Sequence, residues 1–145
     1  MTAIRLQVFG IPAPQGSKRH VGGGRMIEAS KKVKPWREAI AEQAYRSNLT
    51  DIALDGALMM RVSFYLPRPK GHSGVKGLRL SAPRWPFRVP DLDKLLRSTN
   101  DALTQAGVIA DDARLVVIHA QKVYADDRAS GADIYITQIE GEIND

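Results

Sequence analysis

The sequence contains no cysteine, so disulfides, thiolate zinc sites and thiol nucleophiles are all excluded. It also lacks any apolar run that approaches the ~20 residues of a membrane span. Its first residues alternate between apolar and polar positions, unlike the apolar core of a signal peptide. A chain of 145 residues, of which 43% are hydrophobic, is long enough to bury one core. We expect a soluble intracellular protein.

Acidic residues are scarce in the first part of the chain. Residues 1–90 hold 16 Lys/Arg and 5 Asp/Glu, a net charge of +11, whereas residues 91–145 hold 5 and 11, a net charge of −6. A basic part beside an acidic part is typical of a polyanion-binding surface next to a metal-binding pocket. An unevenly charged, solvated surface is the alternative interpretation.

The apolar pattern predicts an α+β domain in which two main helices pack on a mixed β-sheet. Strand patterns cover residues 3–9, 57–66, 114–124 and 134–139, and helical patterns cover residues 34–47 and 92–106. Ser30 is expected to cap the first helix, with Pro35 in its first turn and Trp36 as a core anchor. Residues 126–131 are expected to form a hairpin-like connection. One domain then spans residues 1–145, in the order strand, helix, strand, helix, strand, strand.

Two basic loops, at about residues 10–30 and 67–90, interrupt this pattern, and we expect both to be flexible. The first lacks the GxxxxGK[ST] spacing and contains prolines without N–H donors, which excludes a nucleotide-binding P-loop. The second contains six Lys/Arg, no Asp or Glu, and both Trp85 and Phe87, a composition that suits unpaired DNA strands. A basic surface loop without a ligand is the alternative. The expected DNA contacts are Lys18, Arg19, Arg68, Lys70, Lys76, Arg84 and Arg88.

Carboxylates gather at both ends of the second predicted helix. Asp91 and Asp93 stand at its start, and Asp111 and Asp112 follow soon after Gly107, the expected stop. Such a cluster persists where a cation offsets the mutual repulsion of the carboxylates. Oxygen ligands without cysteine or nearby histidine select Mg²⁺ or Mn²⁺ over zinc. Asp91 alone also has an ordinary explanation as a helix cap.

The chemistry that this arrangement indicates is metal-dependent hydrolysis of a phosphodiester. A basic side chain near the scissile phosphate would stabilise the charge that develops in the transition state. Arg97 lies one turn after Asp93 on the same helical face, and Lys94 is the alternative. Either residue could instead form only a surface ion pair along the helix. The polar face that carries Asp93 and Arg97 also carries Asn100, Asp101 and Thr104.

The segments Pro90–Arg97, Asp101–Leu103 and Val108–Asp112 together resemble the signature of RusA-type Holliday junction resolvases. That signature has a DxD at a helix start, a downstream Asp-Ala-Leu and an Asp-Asp pair before a strand. This chain matches its order and spacing over about 22 residues, which is far more specific than the DxD alone. The opening Gly10–Arg19 and the late Lys122–Tyr124 also resemble phage- and prophage-borne members.

The resemblance implies a homodimeric endodeoxyribonuclease that cuts branched, four-way DNA by paired nicks. It implies a Mg²⁺ ion, with Mn²⁺ as a substitute, held by Asp91, Asp93 and Asp112. It also implies that the protein works in the cytoplasm of a bacterium or of a phage-infected cell, without contact to a membrane. We expect Asp111 to support the site without binding the metal.

Two positions depart from the family pattern. Lys94 stands where the best-known members have Asn, and Arg97 stands where they have a catalytic lysine. Because Arg is a poor proton donor and is not equivalent to Lys, either Arg97 or Lys94 is the basic catalytic residue. The other hypotheses are a non-catalytic DNA-binding protein with a structural acidic cluster and a Mg²⁺-dependent enzyme acting on another phosphate. The basic loop of residues 67–90 argues against the second of these.

Overall fold

The computed structural model describes residues 2–16 and 23–139, apart from the side chains of residues 23–30. The elements are β1 (Ala3–Phe9), α1 (Gly23–Arg46), β2 (Leu58–Leu66), β3 (Ser73–Gly74), β4 (Gly77–Leu78), α2 (Leu92–Gln105), β5 (Leu115–Tyr124) and β6 (Gly131–Gln138). This confirms the predicted α+β fold and the predicted order of the main elements. The small hairpin β3–β4 is added within the second basic loop. Within the described residues, no helix is long and apolar enough to cross a membrane.

Four strands form the main sheet in the order β1-β6-β2-β5. Strand β2 is parallel to β5, and β6 is antiparallel to both β1 and β2. The predicted hairpin-like connection at residues 126–131 is therefore wrong, because β5 and β6 are not neighbours. After β5 has paired with one edge of β2, the chain passes to the other edge, where β6 fills the space between β2 and β1.

Both helices pack on one face of this sheet and enclose the core. Alternate residues of β2, from Leu58 to Leu66, are buried, as the period of a half-covered strand requires. Trp36 of α1 is 1% exposed, which confirms its predicted place in the core. Its indole N–H donates to the Thr99 hydroxyl of α2 at 3.2 Å, so the ring joins the two helices as well as filling the core.

Helix α1 begins eleven residues earlier than predicted, at Gly23 rather than near residue 34. Ser30 therefore lies inside the helix and does not cap it, and Pro35 lies in its interior. Proline is most common in the first turn, which is why Pro35 suggested a helix start. Proline costs the helix one backbone hydrogen bond, and the residues around it still favour helix strongly enough to continue. The predicted loop of residues 10–30 is shortened accordingly.

Helix α2 closely follows its prediction. Asp91 occupies the N-cap position with extended backbone, but its side chain makes no capping hydrogen bond. At the other end, the N–H of Gly107 donates to the Thr104 carbonyl and that of Val108 to the Leu103 carbonyl, each at 3.0 Å. This is a Schellman ending, and it needs the positive φ of 73° that Gly107 adopts. The turn reverses the chain, so that Asp112 lies back against the last turns of α2.

Candidate active site along helix α2

Helix α2 separates a buried face from a polar face. Its buried residues include Leu95, Thr99 and Leu103, which follow the helical period toward the core. The opposite face presents a row of polar side chains about one turn apart: Asp93, Arg97, Asn100, Asp101 and Thr104. The core therefore fixes the direction in which this polar row points.

Asp112 closes against the last turns of α2. It begins a 3-10 turn (Asp112–Arg114), and its Oδ1 lies within hydrogen-bonding distance of the Thr104 hydroxyl. Burial raises the pKa of Asp112; the bond from Thr104 opposes that shift, whereas the neighbouring carboxylates of Asp101 and Asp111 add to it. Asp112 and Asp101 thus form a pair of neighbouring carboxylates.

Asp101 is held in place from the other side by the segment that follows β1. The Gln15 side-chain amide donates to Asp101 Oδ2 at 2.8 Å, and the Arg37 guanidinium donates to Gln15 Oε1 at 3.0 Å. The Gln15 backbone N–H donates to the Lys94 carbonyl at 3.0 Å. The buried hydroxyl of Ser98 donates to the Ala13 carbonyl at 2.6 Å. The loop after β1 is therefore docked along α2 by hydrogen bonds.

Sequence reasoning did not include Asp101 or Gln15 among the site residues. A signal for Asp101 was present, because it shares a helical face with Asp93 and Arg97 and belongs to the Asp-Ala-Leu motif. No pattern in the sequence indicated that Gln15, 86 positions earlier, would bind it.

The start of α2 carries the other predicted residues. Lys94 lies 3.3 Å from an Asp91 carboxylate oxygen, so these two residues form an ion pair. Asp93 and Arg97 are exposed, and neither has an ion-pair partner among residues 2–16 and 23–139. Arg97 is thus available to a phosphate, whereas Lys94 is partly engaged.

Lys122 of β5 positions the chain that leads into Asp91. Its ammonium donates to the Arg88 carbonyl at 2.6 Å and to the Pro90 carbonyl at 2.8 Å. The sequence pointed to this residue only through the resemblance of Lys122–Tyr124 to phage-borne members. The contact ties the end of the second basic loop to an edge strand of the sheet.

The structure does not gather Asp91, Asp93 and Asp112 into one group. In the part of the chain that is described, no three His, Asp, Glu or Cys side chains are arranged to hold a metal ion. Asp93 lies eight residues before Asp101, a rise of roughly 12 Å along α2. The assignment of these three aspartates as metal ligands stays a prediction.

The donor atoms nevertheless suit a hard divalent cation. The carboxylate, amide and hydroxyl side chains on the polar face of α2 offer oxygen atoms as metal ligands. The neighbouring carboxylates of Asp101 and Asp112 also repel each other, which a cation would offset. Asn100 Oδ1 is buried and accepts no hydrogen bond from any described residue, so one further oxygen is without a partner. Mg²⁺ needs few protein carboxylates, because water and substrate phosphate complete its shell. The residues therefore fit such an ion in chemical type.

The predicted DNA contacts fall into three groups. Lys18 and Arg19 lie outside the described residues. Four cations of the second basic loop are exposed: Lys70, Lys76, Arg84 and Arg88. Arg84 and Arg88 lie 6.0 and 5.8 Å from the ring centroids of Trp85 and Phe87, within the range of cation–π contacts. These four cations remain accessible to a phosphate backbone.

Arg68 differs from the other cations, because its side chain is only 12% exposed and its contacts are internal. It binds the Asp126 carboxylate through two nitrogens, at 2.6 and 3.0 Å, and donates to the Pro83 carbonyl at 2.7 Å. Its guanidinium also lies over the Tyr124 ring at 4.1 Å. The bond from Arg68 lowers the pKa of Asp126. Arg68 therefore anchors the second basic loop to the end of β5, and its contact with DNA stays a prediction.

Comparison with known proteins gives one family. The family model described as endodeoxyribonuclease RusA matches residues 10–137, which is most of the chain and includes every predicted site residue. No curated protein matches the sequence.

Proposed function

The chain belongs to the RusA family of endodeoxyribonucleases, and we propose that it resolves four-way DNA junctions by paired, Mg²⁺-dependent nicks. The observation that carries this proposal within the family is the Asp101–Asp112 pair on the polar face of α2. Two carboxylates that approach each other in a partly buried place are stabilised by a cation. The same face presents Arg97, a free cation among the described residues, to a substrate phosphate.

We propose that Asp91, Asp93 and Asp112 hold the metal, Mg²⁺ or in its place Mn²⁺. A bound divalent cation would supply Lewis-acid polarisation of the scissile phosphate. Asp112 would be kept in orientation by the hydroxyl of Thr104, whose contact with it is described above. Asp111, whose charge acts on Asp112, would support the site without being a ligand. The Asp91 side chain makes no capping hydrogen bond, so its oxygens are not used by the helix end and could bind the metal.

The basic catalytic residue that we propose is Arg97. Its guanidinium can bind a phosphate through two N–H groups and stabilise the charge that grows on it during cleavage. Lys94 is ion-paired with Asp91, which supports a role in orienting that carboxylate instead.

We propose that the second basic loop and the first one contact the phosphate backbone. In the second loop, the exposed Lys70, Lys76, Arg84 and Arg88 would neutralise phosphates, and the same role falls to Lys18 and Arg19. The internal bonds of Arg68 support a structural role for that residue. No carboxylate occurs between residues 67 and 90 to oppose these contacts.

Paired nicks require two active sites, and we propose a homodimer that supplies them. Strand β5 is an edge strand of the main sheet. It exposes three consecutive β-branched residues, Val116, Val117 and Ile118, of which Val116 is 61% exposed. An apolar edge strand of this kind is unfavourable in water unless a second chain covers it.

The test is cleavage of a mobile four-way junction compared with a linear duplex of the same sequence, with and without Mg²⁺. We expect junction-selective nicking in Mg²⁺ that is lost in Asp93→Asn while the variant stays folded. Asp127→Asn, which removes an exposed carboxylate in the connection before β6, is the matched control and should retain cleavage.

Intact cleavage in Asp93→Asn would remove that residue from the site. Equal cleavage of linear duplex would remove the junction selectivity. Salt-sensitive DNA binding without cleavage under any divalent ion would instead support the non-catalytic alternative.

A further inference from the structure

All eight prolines of the chain line a single cavity of about 1290 Å³. They come from the loop after β1, from α1 and from the second basic loop: Pro12, Pro14, Pro35, Pro67, Pro69, Pro83, Pro86 and Pro90. Proline fixes its φ angle and has no N–H group. The wall of this cavity, called the proline cleft below, is therefore stiff and offers ring surfaces and carbonyl oxygens.

The proline cleft has a charge of one sign. Lys31 and Lys32 of α1 and Arg88 of the second basic loop line it, and no Asp or Glu occurs among the described residues that do so. Its occupant should therefore carry negative charge as well as flat, weakly polar surface. A nucleotide strand has both properties.

Among the described residues that line the proline cleft, Phe87 is the aromatic residue most accessible for stacking. Trp36 is buried in the core, and the Tyr124 ring is already covered by the Arg68 guanidinium. Phe87 is 72% exposed and lines the same cavity, and the Arg88 guanidinium lies 5.8 Å from its ring centroid, farther than the 4.1 Å between Arg68 and Tyr124. A base could therefore stack on Phe87 while the adjacent phosphates meet the three cations.

The proline cleft borders the start of α2 along the chain. Pro90, which lines it, is followed directly by Asp91 at the start of α2. Lys122 holds the carbonyl groups of Arg88 and Pro90, and so it fixes the boundary between the cleft and that start. A strand that passes Pro90 would therefore lie next to the start of α2, where Asp91 stands.

We propose that the proline cleft binds unpaired nucleotides of the strand that is cut. Its volume exceeds the ~300–1,000 Å³ of pockets for one small molecule, which suits a short stretch of strand. Phe87 stacks on a base, and Lys31, Lys32 and Arg88 bind the phosphates. This inference rests on the proposed function insofar as DNA is the substrate, and it adds the strand element that the protein recognises beside the cut.

The experiment measures binding of a fluorescent eight-residue oligothymidylate to the full chain by anisotropy. Phe87→Ala should weaken binding roughly tenfold, the usual effect of removing a stacking ring. Tyr45→Ala is the matched control, because Tyr45 is an equally exposed ring (75%) on α1 that does not line the cleft. Lys31→Gln with Lys32→Gln should make the slope of log K against log salt shallower by roughly 1.4, about 0.7 for each phosphate contact to a single strand. Lys34→Gln, at a residue that does not line the cleft, should leave the slope unchanged.

Equal binding by wild type, Phe87→Ala and the double lysine variant would overturn the proposal, as would equal losses in the two control variants. Failure of the oligonucleotide to bind the wild-type chain would also overturn it. Junction cleavage by the same proteins separates the two proposals. If the wild type cuts no junction yet binds the oligonucleotide through Phe87, the cleft stands and the proposed function fails. If the wild type cuts junctions, and Phe87→Ala cuts them and binds the oligonucleotide equally well, the proposed function stands and the proposal for the cleft fails.

Discussion

Asp101 and Asp112 face each other at the end of helix α2, one held by the side-chain amide of Gln15 and the other by the hydroxyl of Thr104. Neither contact neutralises the pair, because amide and hydroxyl donors leave both carboxylates charged. Two like charges kept together in this way lower the stability of the fold until a cation or a proton arrives. The pair is therefore a place where function and stability should conflict.

Asp112→Asn should abolish cleavage and stabilise the fold in the absence of divalent ions. The Asn oxygen can still accept from Thr104, and its amide can donate to Asp101, so a repulsion becomes a hydrogen bond. We expect a gain of about 1 kcal/mol, a rise in melting temperature of roughly 2–4 °C. Thermal unfolding in EDTA at pH 7 measures it, with Asp127→Asn as the control. A fall in melting temperature would show that the Asp112 charge stabilises the metal-free fold.

The stabilities of the wild type and of Asp112→Asn should depend differently on pH. Burial raises the pKa of Asp112 in the folded chain above its unfolded value. The wild-type fold therefore gains stability as the pH falls through that raised pKa and loses it as the pH rises. The stability difference between Asp112→Asn and wild type should be largest at neutral pH and should close in acid. A difference that does not change with pH would contradict this.

Arg97→Gln should reduce the single-turnover cleavage rate by roughly 100- to 1,000-fold, as removal of a transition-state donor usually does. Arg97→Lys should recover part of that rate, because it restores the charge without the paired N–H geometry. Lys94→Gln should have a smaller effect, since Lys94 is paired with Asp91. If Lys94→Gln loses more activity than Arg97→Gln, Lys94 is the residue that meets the phosphate.

Asp126→Asn should release the anchor of the second basic loop. We expect a melting temperature a few degrees lower and faster proteolysis between residues 67 and 90, because Arg68 loses a two-point contact. The bond from Arg68 lowers the pKa of folded Asp126, so its contribution is present above the unfolded pKa of about 3.9 and is lost as the pH falls through the folded value. The two proteins should thus converge in strong acid. The neighbouring Asp127→Asn should behave as wild type throughout.

Val117→Lys should dissociate the proposed dimer, because it places a charge on the apolar edge of β5. Light scattering coupled to gel filtration would then report a monomer, where the wild type gives twice the chain mass. Val75→Lys, at a fully exposed valine between β3 and β4, is the control and should leave the mass unchanged. A dimer that survives Val117→Lys would place the interface elsewhere.

Helix α2 could be predicted almost to the residue, because its apolar period, its acidic start and its Gly107 stop agree. Only the second half of helix α1 could be predicted. Proline is most common in the first turn of a helix, so Pro35 indicated a helix start, whereas it lies in the helix interior. The partner of β6 could not be predicted either. A short connection after β5 allows β6 to pair either with the outer edge of β5 or with the other edge of β2, and the structure has it at β2.

The sequence indicated most residues of the candidate site, but it did not indicate which of them contact each other. The period of α2 places Asp101 beside Arg97, but only the Schellman turn brings Asp112 back against Thr104. Gln15 reaches Asp101 from a segment that the sequence marks only as irregular. The proline cleft shows this most clearly, since its walls come from residues between 10 and 124 that no local pattern connects.

Strand β5 contributes to two different features of the molecule at positions four residues apart. Ile118 belongs to the exposed apolar edge, and Lys122 holds the carbonyl groups that lead into Asp91. Strands are stiff along their length, because the sheet ladder fixes every second peptide group to a neighbour. If a second copy docks on that edge, the two active sites are set at one fixed separation through the strands themselves. The distance between the two nicks would then be a property of the sheet, and it would not depend on the basic loops.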